Sequence, residues 1–246
     1  MKYGIVMATK DYEYVQDFID EHLKIGFDRI VIYDGSKKTH VFEHPNVIIR
    51  KWDKPHTSGC LQYNEYVNEF RHEKDFFTAF LDEDEIIDTL GKNIHEAMFA
   101  FENYSSIALN WQVYGDKIDE GNNSSKLVEK YLYHAPNDLY DSNGHNYIKS
   151  MSKNELIVRI VDPHFQLLKN GYVNKGVQGN IVSGSITNIK DYSQIFVRHY
   201  HFQGRDNYIW NKTRPIPGRM ARSKKEVESL YDACNPLCNV KRIINV

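Results

Sequence analysis

The chain has 246 residues, 41% of them hydrophobic and 26% charged, with 31 Lys+Arg set against 33 Asp+Glu. A chain of this length buries a core without staples, and the composition excludes a disordered, collagen-like or coiled-coil protein. The net charge of −2 argues against a dedicated nucleic-acid binder, which carries a basic excess.

The chain opens with a compact apolar run, Tyr3–Ala8, which predicts a buried strand. Its flanks and length do not suit a secretory signal, and no stretch approaches the ~20 apolar residues of a membrane helix. After Asp11, residues Tyr14, Val15, Phe18, Ile19, His22 and Leu23 recur at helical spacing until Gly26. Arg29–Tyr33 is a second predicted strand, ended by the turn Asp34-Gly35-Ser36, and Val47–Arg50 is a third. A helix over Leu61–Phe70 and a fourth strand over Phe76–Leu81 follow, and that strand runs into Asp82-Glu83-Asp84-Glu85. This order predicts an α/β fold, Rossmann-like, with a mixed, mostly parallel sheet flanked by helices.

The second half is less regular. Ile94–Phe101 reads as helix, and Ile107–Tyr114, Ile181–Ile189 and Ile195–Tyr200 read as strands. The Gly- and Asn-rich stretches Gly115–Ser125 and Asn137–Asn146 read as loops, and Lys224–Cys234 as a last helix. From Arg205 onward the chain is basic and bent by Pro215 and Pro217-Gly218, as a lid or a peripheral contact with anionic lipid would be. Three cysteines, Cys60, Cys234 and Cys238, form no CxxC pair, which fits a reducing compartment; the expectation is a soluble, cytoplasmic protein.

In open α/β sheets, ligands bind outside the carboxyl ends of the strands. Here those ends carry Thr9-Lys10-Asp11, Asp34-Gly35-Ser36 and Asp82–Glu85. On an extended backbone Asp82 and Asp84 point to one side, a spacing that grips a hard divalent cation and leaves room for phosphate oxygens. Asp34 is placed to accept from a ribose or base, although Asp-Gly is also an ordinary turn pair. No G-x-G-x-x-G follows the first strand and no Walker lysine loop occurs, so dinucleotide dehydrogenases and P-loop enzymes are disfavoured. His199, at the end of a late strand, can join carboxylates around Mn²⁺. Trp111, before Gly115-Asp116, reads either as a core residue or as a sugar platform.

Taken in order, these residues resemble glycosyltransferase family 92 and related family-2-like enzymes. The likeness lies in Lys10-Asp11-Tyr12, the helix from Phe18 through His22 to Gly26, Tyr33-Asp34-Gly35-Ser36, Tyr63-Asn64, Leu81–Ile86, Trp111–Gly115, Asp162-Pro163-His164 and His199-Tyr200. The sequence departs from the family pattern at Asp11-Tyr12, Gly59, Ile86, Asp116 and Gln203-Gly204. The resemblance implies a GT-A fold, a nucleotide-sugar donor, a divalent metal and inversion at the anomeric carbon.

The expected site follows from these two lines together. Asp82, Asp84 and His199 hold Mn²⁺ or Mg²⁺, and Thr9, Asp34, Asn64, Asp82 and Lys149 contact a UDP- or GDP-sugar. Trp111 and His164 meet a glycan or lipid-linked acceptor. Asp116 is the expected base, with Asp119, Glu120, Asp138 and Asp141 as rivals. The expected organisation is a GT-A domain over 1–215, with its nucleotide-sugar half over about 1–90 and its acceptor half over about 91–215, and a basic helical extension over 216–246. The competing readings are a metal-dependent nucleotidyl- or phosphotransferase and a catalytically silent carbohydrate-binding protein.

Overall fold

The structure is a computed structural model that describes residues 1–37, 40–54, 60–137, 146–213 and 222–242. Gly59, Asp138, Asp141, the interior of the loop over Asn137–Asn146 and the Pro215–Gly218 bend lie outside the described residues.

The first four strands are β1 (Lys2–Thr9), β2 (Arg29–Asp34), β3 (Val47–Lys51) and β4 (Phe76–Leu81). They lie in the order β4-β1-β2-β3 and are all parallel. Helix α1 (Val15–Lys24) links β1 to β2, and α2 (Cys60–Phe70) links β3 back across to β4. The strand order therefore reverses between β1 and β4, which opens a crevice at their carboxyl ends. Side chains alternate across this block. Ile5, Met7 and Ile30 pack with α1 residues Phe18 and Ile19 on one face. Val6, Val31 and Phe80 pack with α2 residues Tyr63, Tyr66 and Val67 on the other. Burial on both faces is why these strands read as continuous apolar runs.

Beyond β4 come β5 (Glu85–Asp88), α3 (Ile94–Met98) with a 3₁₀ turn over Phe99–Phe101, and β6 (Ser106–Val113). A short α4 (Leu127–Lys130) and β7 (Tyr133–His134) lead to β8 (Ile148–Lys153), a strand the sequence reading missed. It runs antiparallel between β4 and β6. Its residues include Lys149, Ser150 and Ser152, all buried, so it carries no apolar run. The hydroxyls are satisfied instead: Ser152 meets the Ser106 hydroxyl at 2.7 Å, and Asn174 donates to Ser150 Oγ at 2.7 Å.

A hairpin of β9 (Ile157–Asp162) and β10 (Phe165–Leu168) was also unforeseen. It is followed by β11 (Asn174–Gly176) and β12 (Ile181–Val182). The strand expected over Ile181–Ile189 stops at Val182, because the chain turns at Gly184, where φ is +79°. Strand β13 (Phe196–His199) attaches to the second half of β6 in parallel and to β5 antiparallel. The chain ends with α5 (Arg205–Thr213), α6 (Lys224–Cys234) and β14 (Val240–Lys241), which pairs with β7. Helix α6 starts at a capping box made by Ser223 and Glu226, as that sequence spacing demands. Among the described residues, no helix is long and apolar enough to cross a membrane.

Candidate metal and nucleotide site

The acids after β4 do not continue it as an extended strand. Asp82, Glu83 and Asp84 form a tight turn, closed by the Glu85 amide donating to the Asp82 carbonyl at 3.2 Å. The expectation that Asp82 and Asp84 project to one side is therefore corrected, since the period-2 rule holds only on extended backbone. The turn splits them into two adjoining groups.

The first group gathers at Asp84. The β5–β13 ladder sets His199 opposite Glu85, and the Tyr200 amide donates to the Asp84 carbonyl at 2.9 Å. This register brings His199 Nε2 to 3.4 Å from Asp84 Oδ2. His201, which the sequence reading did not single out, adds a third atom: its Nδ1 lies 3.2 Å from His199 Nε2. A hydrogen bond from the His201 amide to the His199 carbonyl, at 2.9 Å, folds the chain so that both rings meet. The ligand atoms of Asp84, His199 and His201 all lie within 4.8 Å of one another. Two atoms bound at ~2.1 Å to one ion at near-right or tetrahedral angles stand roughly 3.0–3.4 Å apart. The His199–Asp84 and His199–His201 separations meet that demand, and a carboxylate with two imidazoles suits Mn²⁺ and its neighbours. His199 Nδ1 is buried without a hydrogen-bond partner, and its ring lies 4.0 Å from that of Trp111. The sequence signal for His201 was the His-x-His spacing at a strand end.

The second group gathers at Lys149. This lysine is 0% exposed; its Nζ lies 2.8 Å from Asp82 Oδ2 and 3.1 Å from Glu85 Oε2. Burial pushes the Asp82 carboxyl up, but the Lys149 ammonium outweighs it and holds Asp82 down at about 2. Burial pushes the Lys149 ammonium toward neutrality, and its two acids reverse that and keep it charged. Glu85 is raised well above the usual carboxylate range, first by burial and then by the nearby Asp82 and Asp84 charges. The trio is thus a charged Lys149–Asp82 pair beside Glu85, whose Oε2 accepts from the Asp82 amide at 2.7 Å and whose Oε1 is buried without a hydrogen-bond partner. Asp82, expected as a metal ligand, is turned onto Lys149 and is not among the three converging ligand atoms.

The remaining expected residues divide. Thr9 stands at the crevice and donates to Glu83 Oε2 at 2.8 Å, which fixes the middle acid of the turn. His164 lies in the β9–β10 turn with its ring 4.9 Å from Trp111. Burial and the Lys149 charge lower it to about 4, so it is neutral. Its Nδ1 donates to the Ile148 carbonyl at 3.1 Å, which leaves the lone pair on Nε2.

Three more of the expected residues make contacts within the fold. Asp34 is buried, and its oxygens accept from the Ser36 amide at 2.8 Å and the His40 amide at 2.7 Å. It is engaged as a turn-former, and those bonds hold its carboxyl low against the effect of burial. Asn64 spends its amide on β9: it donates to the Ile160 carbonyl and accepts from the Ile160 amide, each at 2.8 Å, and so pins α2 to that strand. Asp116, the expected base, accepts from the Tyr231 hydroxyl on one oxygen and from Asn235 at 2.6 Å on the other. Each of its oxygens thus accepts a bond that anchors the segment around α6. Of its rivals, Asp119 is paired with Lys241 and the Tyr133 hydroxyl, and Glu120 is exposed.

Beside the crevice, at the carboxyl ends of β1, β2 and β3, lies a cleft of about 440 Å³. It is lined by Lys10, Gly35, Ser36, Lys37, Lys51, Trp52, Asp53 and Lys54, so its lysines outnumber its single acid. Four lysines around one hollow favour an anion there.

No family model matches the chain, and no curated protein matches it. Among solved structures, S. aureus TarS is similar at 14% identity, over 63% of this chain and 29% of its own, with a TM-score of 0.38. TarS 1-349 in complex with UDP is similar at 14% identity, over 63% of this chain and 48% of its own, at 0.38. TarS 1-349 in complex with UDP-GlcNAc is similar at 14% identity, over 63% of this chain and 46% of its own, at 0.36. The chain spans less than half the length of each of these structures. Likeness at this level carries no argument for activity.

Proposed function

We propose that the protein is a metal-dependent glycosyltransferase of GT-A type that moves a sugar, with inversion, from a UDP- or GDP-sugar to a hydroxyl of a glycan or lipid-linked acceptor. One observation carries this reading: the ligand atoms of Asp84, His199 and His201 converge within 4.8 Å beside the turn that ends β4. That turn stands at the reversal of strand order, where open α/β sheets bind nucleotides.

Asp84, His199 and His201 hold the Mn²⁺ or Mg²⁺, whose chemistry is to neutralise charge on the departing diphosphate. Asp82, kept ionised by Lys149, offers its second oxygen to the donor sugar or ribose. Lys149 keeps the turn in place and adds positive charge beside the diphosphate. The lysine-lined cleft beside β1–β3 receives the nucleoside end. Thr9 acts through Glu83 rather than by direct contact. On the acceptor side Trp111 forms a wall, and His164 Nε2 accepts from an acceptor hydroxyl. In this reading the catalytic domain runs to about residue 215 and the basic segment after it is an extension packed onto it through α6 and β14.

The test is a thermal-shift screen of UDP- and GDP-sugars with and without Mn²⁺, followed by assay of the released nucleotide. Metal-dependent stabilisation by one donor and release of a nucleoside diphosphate are expected. Release of pyrophosphate instead would identify a nucleotidyltransferase. No metal-dependent donor binding would leave the metal-free carbohydrate-binding reading.

A further inference from the structure

His164 is fastened on several sides and left open at one atom. Strand β4 pairs with β8 only as far as Ala79 opposite Met151. Beyond that point the β9–β10 turn takes the edge of β8. The Ser150 amide donates to the His164 carbonyl at 2.9 Å, and His164 Nδ1 donates to the Ile148 carbonyl at 3.1 Å. Lys149, between these two residues, reaches Asp82 Oδ2 at 2.8 Å, so one short piece of β8 positions both the imidazole and the end of β4. The His164 amide donates to Asp162 Oδ1 at 2.8 Å. Its ring packs against Trp111 and Tyr147, with centroids 4.9 and 4.8 Å away. A carbonyl only accepts, so the proton sits on Nδ1 and the lone pair on Nε2. Nε2 makes no hydrogen bond among the described residues and is not buried.

We propose that His164 is the general base of the transfer, its Nε2 taking the proton of the attacking acceptor hydroxyl. The proposal rests on the glycosyltransferase reading, which needs a base and finds Asp116 engaged by Tyr231 and Asn235. In the step, the acceptor O–H bond breaks toward Nε2 as that oxygen bonds to the anomeric carbon. The bond from this carbon to the diphosphate oxygen breaks, and its electron pair leaves with the nucleoside diphosphate. The imidazolium then returns its proton to water. Burial and the Lys149 charge hold the ring at about 4, against the charges of Asp82 and Asp162, so it enters the step unprotonated, as a base must. The same two carboxylates favour the imidazolium once it forms. Against burial, Lys149 holds Asp82 down at about 2, which makes that carboxylate the weaker base of the two.

Two measurements on the full chain test this. Nitrogen-15 NMR of the ring at pH 7, assigned by its loss in His164→Gln, is expected to show the Nδ1–H tautomer; the Nε2–H tautomer overturns the proposal. Release of nucleoside diphosphate from UDP- and GDP-sugars is then followed with Mn²⁺ and with water as the acceptor. His164→Gln and His164→Gly should lower kcat about a hundredfold or more and keep the metal-dependent melting shift given by the donor. Added imidazole should restore His164→Gly at least about tenfold, and Asp162→Asn should lose less than about tenfold. Near-normal turnover in His164→Gln overturns the proposal, as does a His164→Gly variant that imidazole does not restore. So does a loss in Asp162→Asn as deep as in His164→Gln, loss of the donor shift in His164→Gln, or donor binding by wild-type protein without any release. Absence of any metal-dependent donor shift in wild-type protein would remove the transferase reading and the proposal with it. A donor shift with unaltered release in His164→Gln removes the proposal alone.

Discussion

Asp84, His199 and His201 make different demands from Asp82, although sequence spacing placed both acids in one motif. The two imidazoles bind metal only when neutral, and the carboxylate only when ionised. Asp84→Ala and His201→Ala should each lower Mn²⁺ affinity at least ~tenfold, read from free Mn²⁺ by electron paramagnetic resonance. Asp82→Asn should lower it far less, because Asp82 faces Lys149; an equal loss would return Asp82 to the metal. Lys149→Met should cost about 2 kcal/mol in urea unfolding, the buried-pair penalty discounted for the exposed side of Asp82. Because Asp82 is held below its unfolded value, its contribution is present above ~4 and is lost as pH falls through about 2.

At the scale of elements, the site is assembled by the β5–β13 ladder, and that ladder is fastened to α1 by His22. His22 is buried; its Nδ1 donates to the Phe18 carbonyl at 2.7 Å and its Nε2 accepts from the Ile87 amide at 3.1 Å. Burial lowers the ring to about 3, so it stays neutral in the fold. The unfolded chain binds that proton near 6.5, so stability is present above ~6.5 and falls as pH drops toward 3. His22→Leu should flatten that slope and cost roughly 1–3 kcal/mol for the unpaired Ile87 amide, as equilibrium unfolding across pH would read. An unchanged slope would contradict the role. Asp116→Ala should release α6, seen as faster hydrogen exchange over 224–234, while Mn²⁺ binding is kept; unaltered exchange would contradict the anchor. The parallel strands were legible because burial on both faces writes continuous apolar runs. Strand β8 was not, since its hydroxyls and Lys149 are paid for by partners distant in sequence. The pairing of Asn64 with Ile160 and of Asp116 with Asn235 is equally long-range, so local motif gave no warning of it.

At the scale of the whole molecule, chain order and spatial order part company where function is proposed. Residues from 9, 82–85, 149, 164 and 199–201 meet because β8 runs antiparallel between β4 and β6, and β13 then joins β6 to β5. The carboxyl edge of β1–β3 supplies a basic hollow, far in sequence from the His199 and His201 that complete the cluster around Asp84. The most direct measurement is a melting scan of wild-type protein and Asp84→Ala with UDP- and GDP-sugars, each with Mn²⁺ and with EDTA. The account predicts that one donor raises the wild-type melting temperature only with Mn²⁺, and that Asp84→Ala, equally folded, loses the shift. A donor shift that is the same in EDTA, or one that survives in Asp84→Ala, would contradict it.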